Sequence, residues 1–336
     1  MAAKNDILEE DRVRLEGAEE GDARRRRFRL GPGARRAALP FLFVLVAAFL
    51  AYYLIGMAVV HRIDDDPTFQ PANPIEGGSR AVDMAAALIE REVDVNGWTS
   101  NDPFFLPGAA LDNMPNFQQG LFYTLGRFAV EMGDQVGRAR GSSQVDPDLD
   151  RAAGLLRYPA DRWIFDFSAS LAPVASSDSQ YRAARRALID YNGRVAAGTA
   201  VFDRRADNLL RTLERFASDL GSSSAIIADH LNREGGFLID TRGDDIFYAT
   251  KGRLYGYYML LKALGEDFED VIRSANLTAV WAEMLESFAE AAALQPLVVV
   301  TGAPDGQFAP NHLAAQGFFL LRARTQLREI ANVLIN

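Results

Sequence analysis

AALPFLFVLVAAFLAYYLIGMAVV, residues 37–60, runs for 24 residues without a charged side chain. About 20 suffice to cross the hydrocarbon core of a bilayer as a helix. Its polar side-chain atoms are two tyrosine hydroxyls, Tyr52 and Tyr53. In lipid every backbone N–H and C=O needs a partner within the chain, and a helix supplies one. Pro40 falls in the first turn of a helix starting at residue 37, where its missing N–H costs least. Length and lack of charge favour a membrane-crossing helix over a buried soluble one.

The flanks set its direction. Arg24, Arg25, Arg26, Arg27, Arg29, Arg35 and Arg36 precede the run, whereas Arg62 and then Asp64, Asp65 and Asp66 follow it. The positive-inside bias therefore puts the N-terminus in the cytoplasm and residues 61–336 outside it, which in a bacterium means the periplasm. The apolar run is longer than the 7–15 residues of a signal peptide, and Met57-Ala58-Val59-Val60-His61 offers no small-x-small cleavage site. An uncleaved signal anchor is the better reading. Ala47-x-x-x-Ala51 would allow close contact between such helices, but alanine is too common to decide it.

Working outward, residues 1–36 read as a disordered cytoplasmic tail. They carry ten basic and eight acidic side chains and Gly31-Pro32-Gly33. Residues 61–78 read as a linker that spaces the body from the bilayer, with Pro67, Pro71, Pro74 and Gly77-Gly78-Ser79. Residues 79–336 then read as one mainly α-helical domain. The expected class is mainly α, one N-terminal transmembrane helix plus a multi-helix soluble domain.

The whole chain has 336 residues and a net charge of −9, but the part after residue 60 carries 26 basic and 37 acidic groups, a net −11. A body so acidic lacks the basic face of a nucleic-acid binder. Cysteine is absent, which excludes disulfides, thiolate metal sites and thiol nucleophiles. His61, His230 and His312 lie far apart, so neither a metal set nor a cofactor motif is expected.

Helical periodicity dominates the body. Ser79 caps a helix to about Val93. Pro115 opens one with Phe117, Leu121, Leu125, Phe128, Met132 and Val136 on one face. Asp146 caps a short helix that stops before Tyr158-Pro159. Residues 178–218 form the longest periodic run, which Gly193 and Gly198 would either kink or open to close approach of a neighbouring helix, and which Gly221 would end. Ser222 or Ser223 would cap the next helix, which runs to Gly235-Gly236. Further helices cover Asp244–Leu264, Asn276–Leu294 and Asn311–Leu334, with Asn276 or Thr278 serving the start of the second. Phe237–Ile239 and Leu297–Val300 look strand-like but are too short for a sheet. Any internal division would fall near Ala160–Ser177. The Trp98–Pro115 segment is too aromatic for a passive loop; it and Pro304–Pro310 are candidate contact regions.

Chemical motifs fail on inspection. Asp146-x-Asp148-x-Asp150 begins like a calcium loop, but Arg151 and Arg157 stand where glycine and glutamate are needed. Gly252-x-x-x-Gly256 lies in an apparent helix with no strand before it, unlike a phosphate loop. No Gly-x-Ser-x-Gly is present. Glu131, Asp134 and Asp240 lie near aromatic segments without distinction from solvated carboxylates. His312 reads as a cap or packed histidine before a ligand. Arg205, Asp207 and Asn208 suggest a buried polar network. Tyr191-Asn192 would lie roughly 20 Å away along a straight helix.

Several short runs are familiar: Asp112-Asn113-Met114-Pro115-Asn116-x-Gln118-x-Gly120, Tyr191-Asn192, Arg205-Ala206-Asp207-Asn208, Asp219-Leu220-Gly221-Ser222 and Pro310-Asn311-His312-Leu313. They resemble a proteobacterial family catalogued as domain of unknown function 2333. The resemblance implies single-span inner-membrane proteins with a periplasmic helical domain; it implies no activity and carries over no catalytic residue. Trp98, Asp112, Asn113, Asn116, Gln118, Tyr191, Asn192, Arg205, Asp207, Asn208, Asn311 and His312 are therefore expected to serve interaction or polar networks. The expected function is a non-enzymatic envelope scaffold with the bilayer and an envelope protein as partners. The alternatives are a carboxylate hydrolase of cell-wall glycan or lipid, and a lipid or small-ligand binder.

Overall fold

A computed structural model describes residues 32–139, 145–166, 170–234, 240–296, 298–302 and 310–335. The chain divides into two compact units, residues 1–54 and 55–336.

Helix α1, Pro32–Val60, contains the whole uncharged run. It begins earlier than that run, so residues 32–36, read from sequence as the end of a disordered tail, are helical; residues 1–31 of that tail lie outside the described residues. Pro40 consequently sits in the third turn instead of the first, and leaves the Arg36 carbonyl without its usual donor four residues on. Leu39–Val60 is long and apolar enough to cross a membrane.

The second unit is all-α among its described residues. Ser79 caps α2 (Arg80–Glu90), its Oγ accepting from Val82 N, and a π-helical turn continues over Arg91–Val95. A 3-10 turn at Pro107–Ala110 leads into α3 (Asn113–Ala139). Asp146 caps α4 (Pro147–Leu156) by accepting from Asp148 N. Then come α5 (Ser177–Ala196), α6 (Ala206–Glu234), α7 (Thr241–Asp267), the short α8 (Glu269–Ser274), α9 (Thr278–Ala292) and α10 (His312–Ile335).

Helix α7 is the hub. Phe247, Leu254, Tyr255, Tyr257, Leu260, Leu261 and Leu264 are buried around its circumference, which is the pattern of a helix enclosed on all sides. It packs on α2, α3 and α9; α6 pairs with α10, and α5 with α2 and α4. The α3–α7 crossing is close. A Cβ on Gly120 would stand 2.0 Å from the Ala249 carbonyl oxygen, and one on Gly252 2.0 Å from that of Phe117. Gly252-x-x-x-Gly256 is thus a helix-crossing device, as small residues on a packed face allow.

Three readings need correction. The run 178–218 is two helices, not one kinked helix: α5 ends at Ala196, and Gly198, at φ +72°, turns the chain toward α6. Gly221 does not end a helix, nor do Ser222 or Ser223 cap one; α6 continues through all three to Glu234. A mid-helix glycine costs about 1 kcal/mol, and here it makes room for Arg324, whose guanidinium would lie 2.8 Å from a Cβ at that position. Finally, Asn276 does not cap α9, whose N-cap Leu277 makes no side-chain capping bond; at φ 55° it turns the chain out of α8.

Residues 55–336, which include Ala160–Ser177, are grouped as one compact unit. Phe237–Ile239 and Leu297 lie outside the described residues, as does most of Pro304–Pro310. Val298–Val300 form no strand, and an isolated bridge joins Thr301 to Asn311.

Residues 61–78 are a strap laid on the helices, not a free spacer. Ile63 and Phe69 pack against the core. Tyr255 donates its hydroxyl to the Asp66 carbonyl at 2.8 Å, and Lys262 reaches the Pro67 carbonyl at 3.0 Å.

Candidate functional site

The strap is held by two buried cations. Lys251, fully buried mid-way along α7, meets Asp65 at 2.6 Å and also donates to the carbonyls of Ala292 and Leu294 at the end of α9. Three acceptors around one ammonium satisfy its donors, the condition under which a buried charge is tolerated. Burial pushes the Lys251 ammonium below its usual range, against the pull of Asp65. Gln295 donates to both oxygens of the same carboxylate.

Arg91, in the π-helical turn, is the second cation. Its guanidinium lies 4.8 Å from the Phe69 ring centre and 5.0 Å from that of Tyr255. It meets Asp64 at 3.3 Å and Glu92 at 2.8 Å, and donates to the Tyr255 hydroxyl at 2.7 Å. Glu92 has no exposed surface. Burial raises its carboxyl, and Arg91 and the Gln118 amide resist that rise. Gln118 completes the cluster, donating to Glu92 at 3.2 Å and to the Gly97 carbonyl at 2.8 Å while accepting from Thr99 N. The π-bulge matters here because it places Arg91 and Glu92, neighbours in sequence, in one polar pocket.

A second assembly gathers like charges. At the start of α3, Asn116 donates to Asp112 at 3.3 Å and to Asp245 of α7 at 2.7 Å. Asp112 is raised by burial, by a hydrogen bond shared with Asp245 and by that group's charge. Asp244 is raised to about 6, first by burial and then by Asp112, Asp245 and Asp240. Asn113 hydrogen-bonds Tyr248. Asp240 ends the row as the α7 N-cap, accepting from Gly243 N at 2.8 Å and Thr301 Oγ at 3.0 Å, with His230 Nε2 at 2.5 Å. Burial alone would raise Asp240; those three partners outweigh it and hold it below the usual carboxylate range. Among the described residues no three His, Cys, Asp or Glu side chains are placed to hold a metal ion.

A third assembly fixes α2. Asp267, at the end of α7, accepts from Ser79 Oγ at 2.7 Å, Arg80 N at 2.9 Å and Ala81 N at 3.0 Å, an acidic cap on the N-terminus of α2. Asn192 accepts from Ser79 N at 2.7 Å and donates to Asp83 at 2.7 Å. Arg204 donates to the Gly78 carbonyl and meets Asp267 at 3.5 Å.

The structure therefore brings Asp112, Asn113 and Asn116 to one place and Gln118 to another. Trp98 is buried, donating to the Ala160 carbonyl at 2.9 Å between Phe122 and Tyr181. Tyr191 donates to the Val201 carbonyl at 2.8 Å, and Asn208 to that of Asp203 at 3.2 Å. The turn between α5 and α6 folds both onto one loop, so the 20 Å expected of a straight helix does not apply. Arg205 and Asp207 form no buried network: they pair at 3.1 Å with 71% and 56% of their side chains exposed, and Arg204 is the residue that reaches inward. Asn311 caps α10 by accepting from Ala314 N, and His312 Nδ1 accepts from Val300 N at 3.0 Å, so both have structural partners.

Sequence reading missed Lys251, Arg91, Glu92, Asp244, Asp245 and Asp267. One signal was present. Only two lysines follow residue 60, Lys251 and Lys262, and both reach the strap.

The cavity bounded by Met132, Tyr191 and Phe202 holds about 10 Å³, the scale of one water molecule. A larger open groove of 580 Å³ runs between α6 and α10, lined by Ser218, Gly221, Ser222, Arg324 and Arg328.

Fold and site together define a class: an α-helical body that follows an apolar helix and is strapped by the segment joining them. Residues 69–235 match the model of the bacterial family described as "Uncharacterized protein conserved in bacteria (DUF2333)", the family that the short motifs resemble. Neither a curated protein nor a solved structure matches the chain.

Proposed function

We propose that the chain is a single-span inner-membrane protein whose helical body works in the periplasm as a non-enzymatic scaffold for another envelope protein. The strap carries this reading. A domain tethered only for concentration needs a loose linker. Here Asp64 and Asp65 are gripped by Arg91 and Lys251 within five residues of the end of α1, so the chain is fastened to the body as soon as that helix stops. Such fixation suits a protein that presents a surface in a set position.

The surface offered to the partner is the α6–α10 groove. On α10, Leu321, Arg324 and Arg328 follow the i, i+3, i+7 spacing of one helix face. Leu321 is 52% exposed, and Phe318 65%. The test is a photo-crosslinking side chain at Leu321 in the full-length chain, irradiated in intact cells. A discrete heavier adduct at Leu321, absent for the same probe at exposed Glu286, is expected; equal or no adducts at both positions would overturn the scaffold reading. A reporter active only in the cytosol, fused after Asn336, is expected to stay silent.

The carboxylate row favours a second reading, a periplasmic hydrolase. Asp244, held at about 6, has an acidity suited to proton transfer near neutral pH. On that reading Asp244→Asn abolishes function in cells while the protein remains folded. On the scaffold reading function survives.

A further inference from the structure

The loop between the π-helical turn and α3 exposes what a water-facing loop normally hides. Phe104 is 84% exposed and Phe105 48%. Phe104 stacks edge-on with Phe105, Phe105 with Trp163, and Trp163 with Phe165. Ile164 and Phe165 are 42% and 45% exposed. Val174 N donates to the Ile164 carbonyl beside them. Two loops far apart in sequence thus build one apolar, largely aromatic patch. A contiguous patch of this kind marks an interaction surface.

Its place in the chain says what covers it. The Pro107 ring packs directly on Gly56, where a Cβ would lie 2.3 Å from Pro107 Cγ. Gly56 is four residues short of the end of α1, about 6 Å down the helix axis at 1.5 Å per residue. The loop carrying Phe104 and Phe105 therefore reaches back past the end of the apolar run. At the other end of the same loop, Met114 contacts the backbone of Arg62, two residues after α1 stops. Aromatic side chains at this level form the interfacial belts of membrane proteins, because their rings suit the boundary between headgroups and acyl chains.

We infer that Phe104, Phe105, Trp163, Ile164 and Phe165 are a second membrane contact, a patch of the body seated in the headgroup region of the bilayer that α1 crosses. This rests on α1 being a membrane anchor. The patch and the strap then divide the work. The strap fastens the joining segment to the body, and the patch fixes which face the body turns to the lipid. The α6–α10 groove remains free for a protein partner.

The chain has no cysteine, so each introduced one is a unique label. An environment-sensitive fluorophore is placed at Phe49→Cys, Phe104→Cys, Phe165→Cys or Ser222→Cys in the full-length protein, reconstituted into phosphatidylethanolamine–phosphatidylglycerol vesicles. Phe104 is exposed, so its replacement leaves the core intact. Labels at 104 and 165 are expected to lose most of their emission to a lipid-borne quencher and little to aqueous iodide, with the reverse at 222. Loss at 49 but not at 104 and 165 overturns the patch and leaves the anchor standing. Protection at 104 from both quenchers also overturns it, in favour of a protein covering the patch. No loss at 49 removes the anchor reading, and the patch inference falls with it.

Discussion

The strap clamp and the carboxylate row are two polar clusters on the same hub helix, and they solve opposite problems. Lys251 and Arg91 bury unlike charges together, with aromatic faces and carbonyls taking up the remaining donors. Asp112, Asp244 and Asp245 crowd like charges with an asparagine amide between two of them. The first cluster is stable only as a complete set; the second is relieved whenever a proton arrives. That contrast separates a fastening from a site whose charge state can change.

Removing one partner of the clamp is the strongest way to break the contrast. Lys251→Met leaves the partly buried Asp65 without its ammonium partner, and is expected to lower unfolding stability by about 3 kcal/mol. The double variant Lys251→Met with Asp65→Leu is expected to recover most of that loss, since well-packed apolar groups can replace a buried pair. Denaturant titration of the two variants measures the difference, and hydrogen exchange over residues 61–70 reports release of the strap. A loss below about 0.5 kcal/mol for the single variant makes the clamp incidental.

The carboxylate row is expected to respond with the opposite sign. Asp244 is raised from 3.8 to about 6 on folding, so the folded chain binds more protons than the unfolded one between those values. Stability contributed by the protonated form is present in acid and is lost as pH rises toward 6. Asp244→Asn removes that loss. At pH 7 it is expected to stabilise the body by about 1–2 kcal/mol, after allowance for solvent screening of a part-exposed group, with little effect near pH 4. Thermal melts of both proteins across pH 4–8 check this; a destabilised variant at pH 7 would show that Asp244 gains more from its place in the first turn of α7 than it loses to its neighbours.

The exposed Arg205–Asp207 pair sharpens the comparison from the other side. With both side chains mostly in water, Asp207→Ala is expected to change stability by less than about 0.5 kcal/mol. A larger loss would mean that the pair contributes to the inward network of Arg204 and Asp267.

Ser79, Asp146 and the Phe117–Val136 stripe were legible in sequence because caps and apolar faces depend on neighbours three or four residues away. Gly221 misled for the same reason. Locally it resembles a helix stop, but packing of α10, whose Arg324 lies against it, outweighs its small intrinsic cost. The strap misled more deeply. Prolines and aspartates spell a linker, and nothing within a dozen residues contradicts that. Its fastening comes from Lys251, 186 positions on. For the candidate site, Asp112, Asn113 and Asn116 were visible as a motif, but Asp244 and Asp245 gained meaning only once α7 lay across α3.

Sequence alone determined that this is a helical chain with one apolar span, an acidic body and well-marked helix starts. Those properties follow from composition and short-range periodicity, which every folded arrangement of the chain must respect. Only the tertiary structure decided that residues 61–78 are bound, that Lys251 is a buried clamp and that Arg205 is a surface ion pair. The energy of a charge depends on how much water it loses and on what stands opposite, and for Lys251 both are settled by a segment 186 residues away.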